Sequence, residues 1–82
     1  MNKDSVIALI GQHAAAVLPD LEGHQFIAID RLVDLGANSV DRVEILMMVL
    51  ESLALSVPRV ELFGPKNIGE LADLLIQKMQ AA

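Results

Sequence analysis

Ser39 is the residue of this sequence best placed to do chemistry. It follows Leu35-Gly36-Ala37-Asn38, a stretch with two turn formers, and it opens a segment of helically spaced apolar residues. A hydroxyl at that junction stands beside backbone N–H groups without a helical partner and at the positive end of the helix dipole. A phosphate ester would be well placed there. The plainer reading is a serine that caps its helix, a position this residue type favours.

The other reactive side chains suggest less. His13 lies on a predicted helix and His24 in a loop, each without a nucleophile or metal-ligand partner in the pattern around it, so surface or half-buried histidines are expected and an enzyme is disfavoured. The chain has no cysteine, which removes disulfides, thiolate zinc sites and a cysteine nucleophile, and fits a reducing cytoplasm. Six Lys and Arg against a net charge of -5 argue against nucleic acid and predict basic protein partners. The longest apolar run, Ile45 to Leu50, is far short of the ~18 residues that span a bilayer, and no basic segment precedes an apolar signal. A soluble, membrane-free, cytoplasmic protein is expected.

Eighty-two residues are enough for one domain and one modest core, taken as 1–82, and too few to enclose a deep cleft between lobes. Apolar residues make up 54% of the chain with Trp and Tyr absent, so the core must be built from Leu, Ile, Val, Ala and Met. The first helix is predicted over Val6–Leu18, with Asn2 or Asp4 to cap it and Pro19 to stop it. From Pro19 to Gly36 no period holds. This reads as a long loop whose apolar residues Phe26, Ile27, Ile29, Leu32 and Val33 plug the open side of a bundle, with a short strand at Gln25–Ile29 as the rival reading. The second helix is predicted over Ser39–Leu53 and a short third one over Arg59–Phe63. A fourth starts at Asn67-Ile68-Gly69-Glu70, where the Asn67 amide and the Glu70 carboxylate suit a reciprocal cap.

On the second helix the apolar residues sweep an arc of roughly 220°, wider than a half-buried helix needs. Its centre, near Leu46, Val49 and Leu53, is expected to face the core. Val40 and Met47 then fall at one edge, and Met48 stands among Asp41, Glu44 and Glu51. Adaptable thioethers beside carboxylates suit a surface that docks basic-rimmed partners. Ordinary exposed apolar residues are the alternative.

The run Asp34-Leu35-Gly36-Ala37-Asn38-Ser39-Val40-Asp41, followed by Val43-Glu44, resembles the signature of the acyl carrier proteins, in which the serine receives 4'-phosphopantetheine. The resemblance covers nearly the whole chain. It implies an all-α, acyl-carrier-protein-like four-helix bundle with three long helices, one short helix and a long first loop. It also implies a monomeric, non-catalytic carrier with a covalent arm on Ser39. Docking would fall to Asn38, Val40, Asp41, Glu44, Met47, Met48 and Glu51. One departure is that the family's usual Asp-Ser-Leu stands here as Asn38-Ser39-Val40, with one charge and one methylene fewer where partner enzymes would dock.

Asp41-Arg42-Val43-Glu44-Ile45, Pro58-Arg59-Val60-Glu61-Leu62-Phe63-Gly64 and Asn67-Ile68-Gly69-Glu70-Leu71 look like the free-standing donor carriers of polyketide β-branching cassettes. That likeness implies four kinds of partner: a phosphopantetheinyl transferase, an acyltransferase that loads malonyl, a decarboxylating ketosynthase-like enzyme that leaves acetyl, and an HMG-CoA-synthase-like enzyme that uses it. A fatty-acid or discrete polyketide extension carrier is the alternative within the family. A cofactor-free helical interaction module is the alternative outside it.

Overall fold

The computed structural model describes residues 1–81. Helix α1 spans Lys3–Val17, α2 Ser39–Leu53, α3 Arg59–Leu62 and α4 Ile68–Ala81, with a 3-10 turn at Pro19–Leu21. Among the described residues there is no strand. The bundle of three long helices and one short one is as expected, and the strand reading of Gln25–Ile29 is overturned.

Each end of α1 and α2 has a chemical cause. Asn2 caps α1, its side-chain oxygen accepting from the Ser5 N–H at 2.8 Å, and the helix stops just before Pro19. Ala54 ends α2 in the left-handed region at φ 53°, and the Leu55 N–H donates to the Leu50 carbonyl at 2.9 Å. Val6, Ile10, Ile45, Val49, Ala72 and Leu75 are fully buried at the centre, where α1 packs on both α2 and α4.

Polar contacts fix the helices' relative positions at the rim. His13 on α1 meets the Ser52 hydroxyl of α2 at 2.7 Å. Lys3 pairs with Asp73 at 3.2 Å, tying α1 to α4, and Lys78 pairs with Glu61 at 2.6 Å, tying α4 to α3. These exposed ion pairs contribute little stability each.

The long loop docks chiefly through its backbone. The Ala28 and Asp30 carbonyls accept from the N–H groups of Gly69 and Ile68 at 2.8 and 2.9 Å, so the loop satisfies the first donors of α4. The approach is close enough that a Cβ on Gly69 would lie 2.8 Å from that of Ala28. Asn67 accepts from the Glu70 N–H, and the Glu70 carboxylate reaches back to the Lys66 N–H at 3.2 Å. Only part of the loop's apolar content turns inward. Leu32 is buried and Phe26 half-buried against Gly11, but Ile27, Ile29 and Val33 are 50%, 76% and 47% exposed, which overturns their expected role as plugs. With the backbone spent on capping α4, alternate side chains of the segment face outward.

Asp30 fixes the loop's shape. Its carboxylate accepts from the Ile27 N–H at 3.0 Å and meets His24 Nε2 at 3.0 Å. The Ile27 bond first, and His24 second, hold this carboxyl below the usual carboxylate range. The His24 ring in turn stands edge-on to Phe26, centroids 4.7 Å apart.

Candidate functional site

The approach to α2 is a tight turn. The N–H groups of Leu35, Gly36 and Ala37 all return to carbonyls of residues 31–33, and Gly36 takes φ +101°, a conformation that favours glycine. Ala37 is buried, and its carbonyl accepts from Arg42 Nη1 at 2.9 Å, which clamps the turn to the second turn of the helix.

Ser39 is the first residue of α2, not its cap. The cap is Asn38: its side-chain oxygen accepts from the Asp41 N–H at 2.8 Å, while the Asp41 carboxylate accepts from the Asn38 N–H at 3.1 Å. This reciprocal pair corrects the reading of Ser39 as a capping serine. It also leaves the exposed Ser39 hydroxyl out of the cap, beside the N–H groups that open the helix. Ser39, Val40, Val43 and Glu44 line a shallow apolar depression.

The predicted docking residues fall on two kinds of ground. Val40 and Met47 are 73% and 45% exposed, and Glu44, Glu51 and Asn38 are exposed as well. Asp41 is half-buried by its bond to Asn38, so its charge also serves the fold. Met48, expected to stand out among the acids, is half-buried. Leu53, placed at the centre of the core-facing arc, is half-buried too, and the buried centre runs through Ile45, Leu46, Val49 and Leu50.

Three further residues are exposed or structural in ways the sequence pattern does not directly announce. Arg42 holds the turn before Ser39 through a local bond back to the Ala37 carbonyl, which charge and periodicity do not reveal. Val60 and Phe63 on and after α3 are 80% and 55% exposed. Their signal was a short helix with more apolar residues than one buried face can use.

Ser39 thus stands exposed at the start of a long helix, on a bundle whose centre is filled by apolar side chains. The phosphopantetheine attachment site family matches residues 16–75, a span that includes Ser39. The polyketide biosynthesis acyl-carrier-protein AcpK of Bacillus subtilis (strain 168) is 52% identical over 82 residues, covering all of both chains. Among solved structures, the complex of the curacin biosynthetic pathway HMG synthase with its acetyl donor carrier protein matches with a TM-score of 0.89 and 47% identity, over 95% of this chain and 100% of that one. The chain belongs to the phosphopantetheine-attachment family and is an acyl carrier protein. That membership sets aside the cofactor-free interaction module.

Proposed function

We propose that Ser39 bears the 4'-phosphopantetheine arm and that the protein is the acetyl donor of a polyketide β-branching cassette. The observation that carries the first half is the position of Ser39: exposed, at the first position of α2, with capping delegated to Asn38 and Asp41. The N-terminal dipole of α2 favours the negative charge of a phosphodiester there, and Val40 and Val43 offer an apolar wall beside it. The arm supplies a thiol that forms thioesters. The residues of this chain supply attachment, orientation and the surface that partners read.

The donor role is supported by the likeness to a carrier solved with an HMG synthase as acetyl donor. In this reading a phosphopantetheinyl transferase modifies Ser39 and an acyltransferase loads malonyl. A decarboxylating ketosynthase-like enzyme leaves acetyl, and an HMG-CoA-synthase-like enzyme accepts it. Catalysis belongs to those partners. The whole chain, 1–82, acts as one cytoplasmic carrier domain. Val40, Met47, Glu44 and Glu51 form the outward face of the dock, with Asn38, Asp41 and Met48 at its margins.

The test is an acetyl-transfer assay. Protein charged with acetyl-phosphopantetheine is mixed with an HMG-CoA-synthase-like enzyme and an acceptor carrier bearing a β-ketoacyl group, and both carriers are followed by mass. Loss of acetyl here, with the acceptor gaining that acetyl plus the water that hydrolyses the condensed product from the enzyme, supports the donor role. An acetyl group that stays in place, with a known donor active in parallel, excludes it.

A further inference from the structure

Half of this acidic chain's cations converge on one groove. Arg31, Arg42 and Lys66, three of the six Lys and Arg in the sequence, line a cavity of about 790 Å³ between the end of the first loop, α2 and the α3–α4 connection. They come from positions far apart in the chain, and the fold brings them together. Glu70 is the acid on the same lining, and its Oε1 already accepts from the Lys66 backbone N–H. Among the described residues the Lys66 ammonium makes no ion pair, and Arg31 reaches Asp34 only at 3.9 Å. Arg42 spends Nη1 on the Ala37 carbonyl, which leaves the rest of its guanidinium for another acceptor.

The floor of the groove is apolar. Leu46, Leu62 and Ile68 form it from buried positions, and Val33 and Phe63 stand exposed on its walls. An apolar floor under a cationic rim suits a short carbon chain that ends in an anion. The groove also opens close to the arm's anchor: Arg42 lies three residues after Ser39, which places their side chains about 5–6 Å apart at Cβ on one face of the helix.

Building on the assignment of the arm to Ser39, we propose that this groove receives an acyl thioester that still carries a free carboxylate, and that Arg31, Arg42 and Lys66 bind that carboxylate when the arm folds back. The groove then distinguishes the two states of a malonyl-type load. Decarboxylation on a partner enzyme breaks the bond between the α-carbon and the carboxylate; carbon dioxide leaves, and the α-carbon takes up one proton. The acetyl thioester that remains is neutral and has nothing to offer the cations, so the arm is released to the next enzyme. The arm's own phosphate is an anion in both states, which separates it from the carboxylate as a source of the contact.

The experiment transfers the arm from malonyl-CoA or from acetyl-CoA onto isotope-labelled protein with a phosphopantetheinyl transferase, and compares backbone amide spectra of the two products and of the unloaded holo-protein. The expected result is a set of malonyl-specific shifts at Arg31, Val33, Arg42, Phe63 and Lys66. These shifts shrink by half or more in Lys66→Gln, a surface change outside the core, and in high salt, which screens the pairing. A malonyl product, proved by mass, whose spectrum matches the acetyl product at those residues overturns the inference while leaving the arm on Ser39. Shifts common to both products assign the contact to the phosphate and overturn it too. Failure of both CoA esters to add mass, beside a control carrier that both modify, overturns the Ser39 assignment and the inference together.

Discussion

Helices α2 and α4 are nearly equal in length, 15 and 14 residues, and both are rich in Leu, Ile and Met, yet they treat their apolar residues differently. In α4 the stripe Ile68, Leu71, Ala72 and Leu75 is buried, and none of its large apolar side chains ranks among the exposed ones. In α2 four residues, Ile45, Leu46, Val49 and Leu50, do the same for the core, while Val40 and Met47 remain in solvent beside Glu44 and Glu51. One helix carries only what the core needs. The other carries a surplus, which begins at Val40 beside Ser39 and continues to Met47 two turns on. In the proposed function, this apolar surplus next to acids is the surface that partners read.

Substitutions should separate the two helices. Leu75→Ala removes a fully buried side chain from α4 and is expected to lower stability by about 3 kcal/mol, seen as a drop in the urea midpoint. Modification of Ser39 at low urea should be unchanged. On α2 the pattern reverses: Val40→Asp with Met47→Glu should alter stability by only ~0.5 kcal/mol. The same pair should reduce kcat/KM for transfer to the HMG-CoA-synthase-like partner about tenfold, or ~1.4 kcal/mol. A large stability loss in the α2 double variant would mean that these side chains serve the core after all.

Smaller effects probe what joins the helices. Asp30→Asn should cost about 1 kcal/mol at neutral pH by weakening the Ile27 and His24 bonds that shape the loop over α4. Because the folded carboxyl sits below its ordinary value, the wild type's advantage is full above the ordinary carboxylate range. It fades as pH falls through the depressed folded value, so urea midpoints of the two proteins should converge in acid. Ala54→Gly, at the left-handed end of α2, should leave the fold intact and raise stability by about 0.5–1 kcal/mol, read from the thermal midpoint.

Legibility in the sequence followed the range of the forces involved. The limits of α2, Ser39–Leu53, are set by the turn before it and by the loss of period after it, and sequence alone placed them. The first helix starts earlier than its apolar period, at Lys3, because Asn2 rather than Asp4 caps it. Which of two adjacent polar residues caps α2 depends on φ and ψ, so the sequence leaves a capping Ser39 open where the structure makes Asn38 the cap. The loop misled most. Its backbone bonds to the start of α4 join residues some forty positions apart, and no local pattern announces them; once they form, Ile27, Ile29 and Val33 turn outward. The cationic groove was invisible for the same reason, since Arg31, Arg42 and Lys66 meet only in the folded chain.

The central claim is that Ser39 is where the arm attaches, and intact mass tests it most directly. Wild type and Ser39→Ala are incubated with CoA, magnesium and a broad-specificity phosphopantetheinyl transferase. Since Asn38 and Asp41 supply the cap, the variant should keep its helical spectrum. One phosphopantetheine addition on the wild type and none on the folded variant is the predicted result. An addition that persists in Ser39→Ala, or no addition to either protein beside an active control carrier, would contradict it.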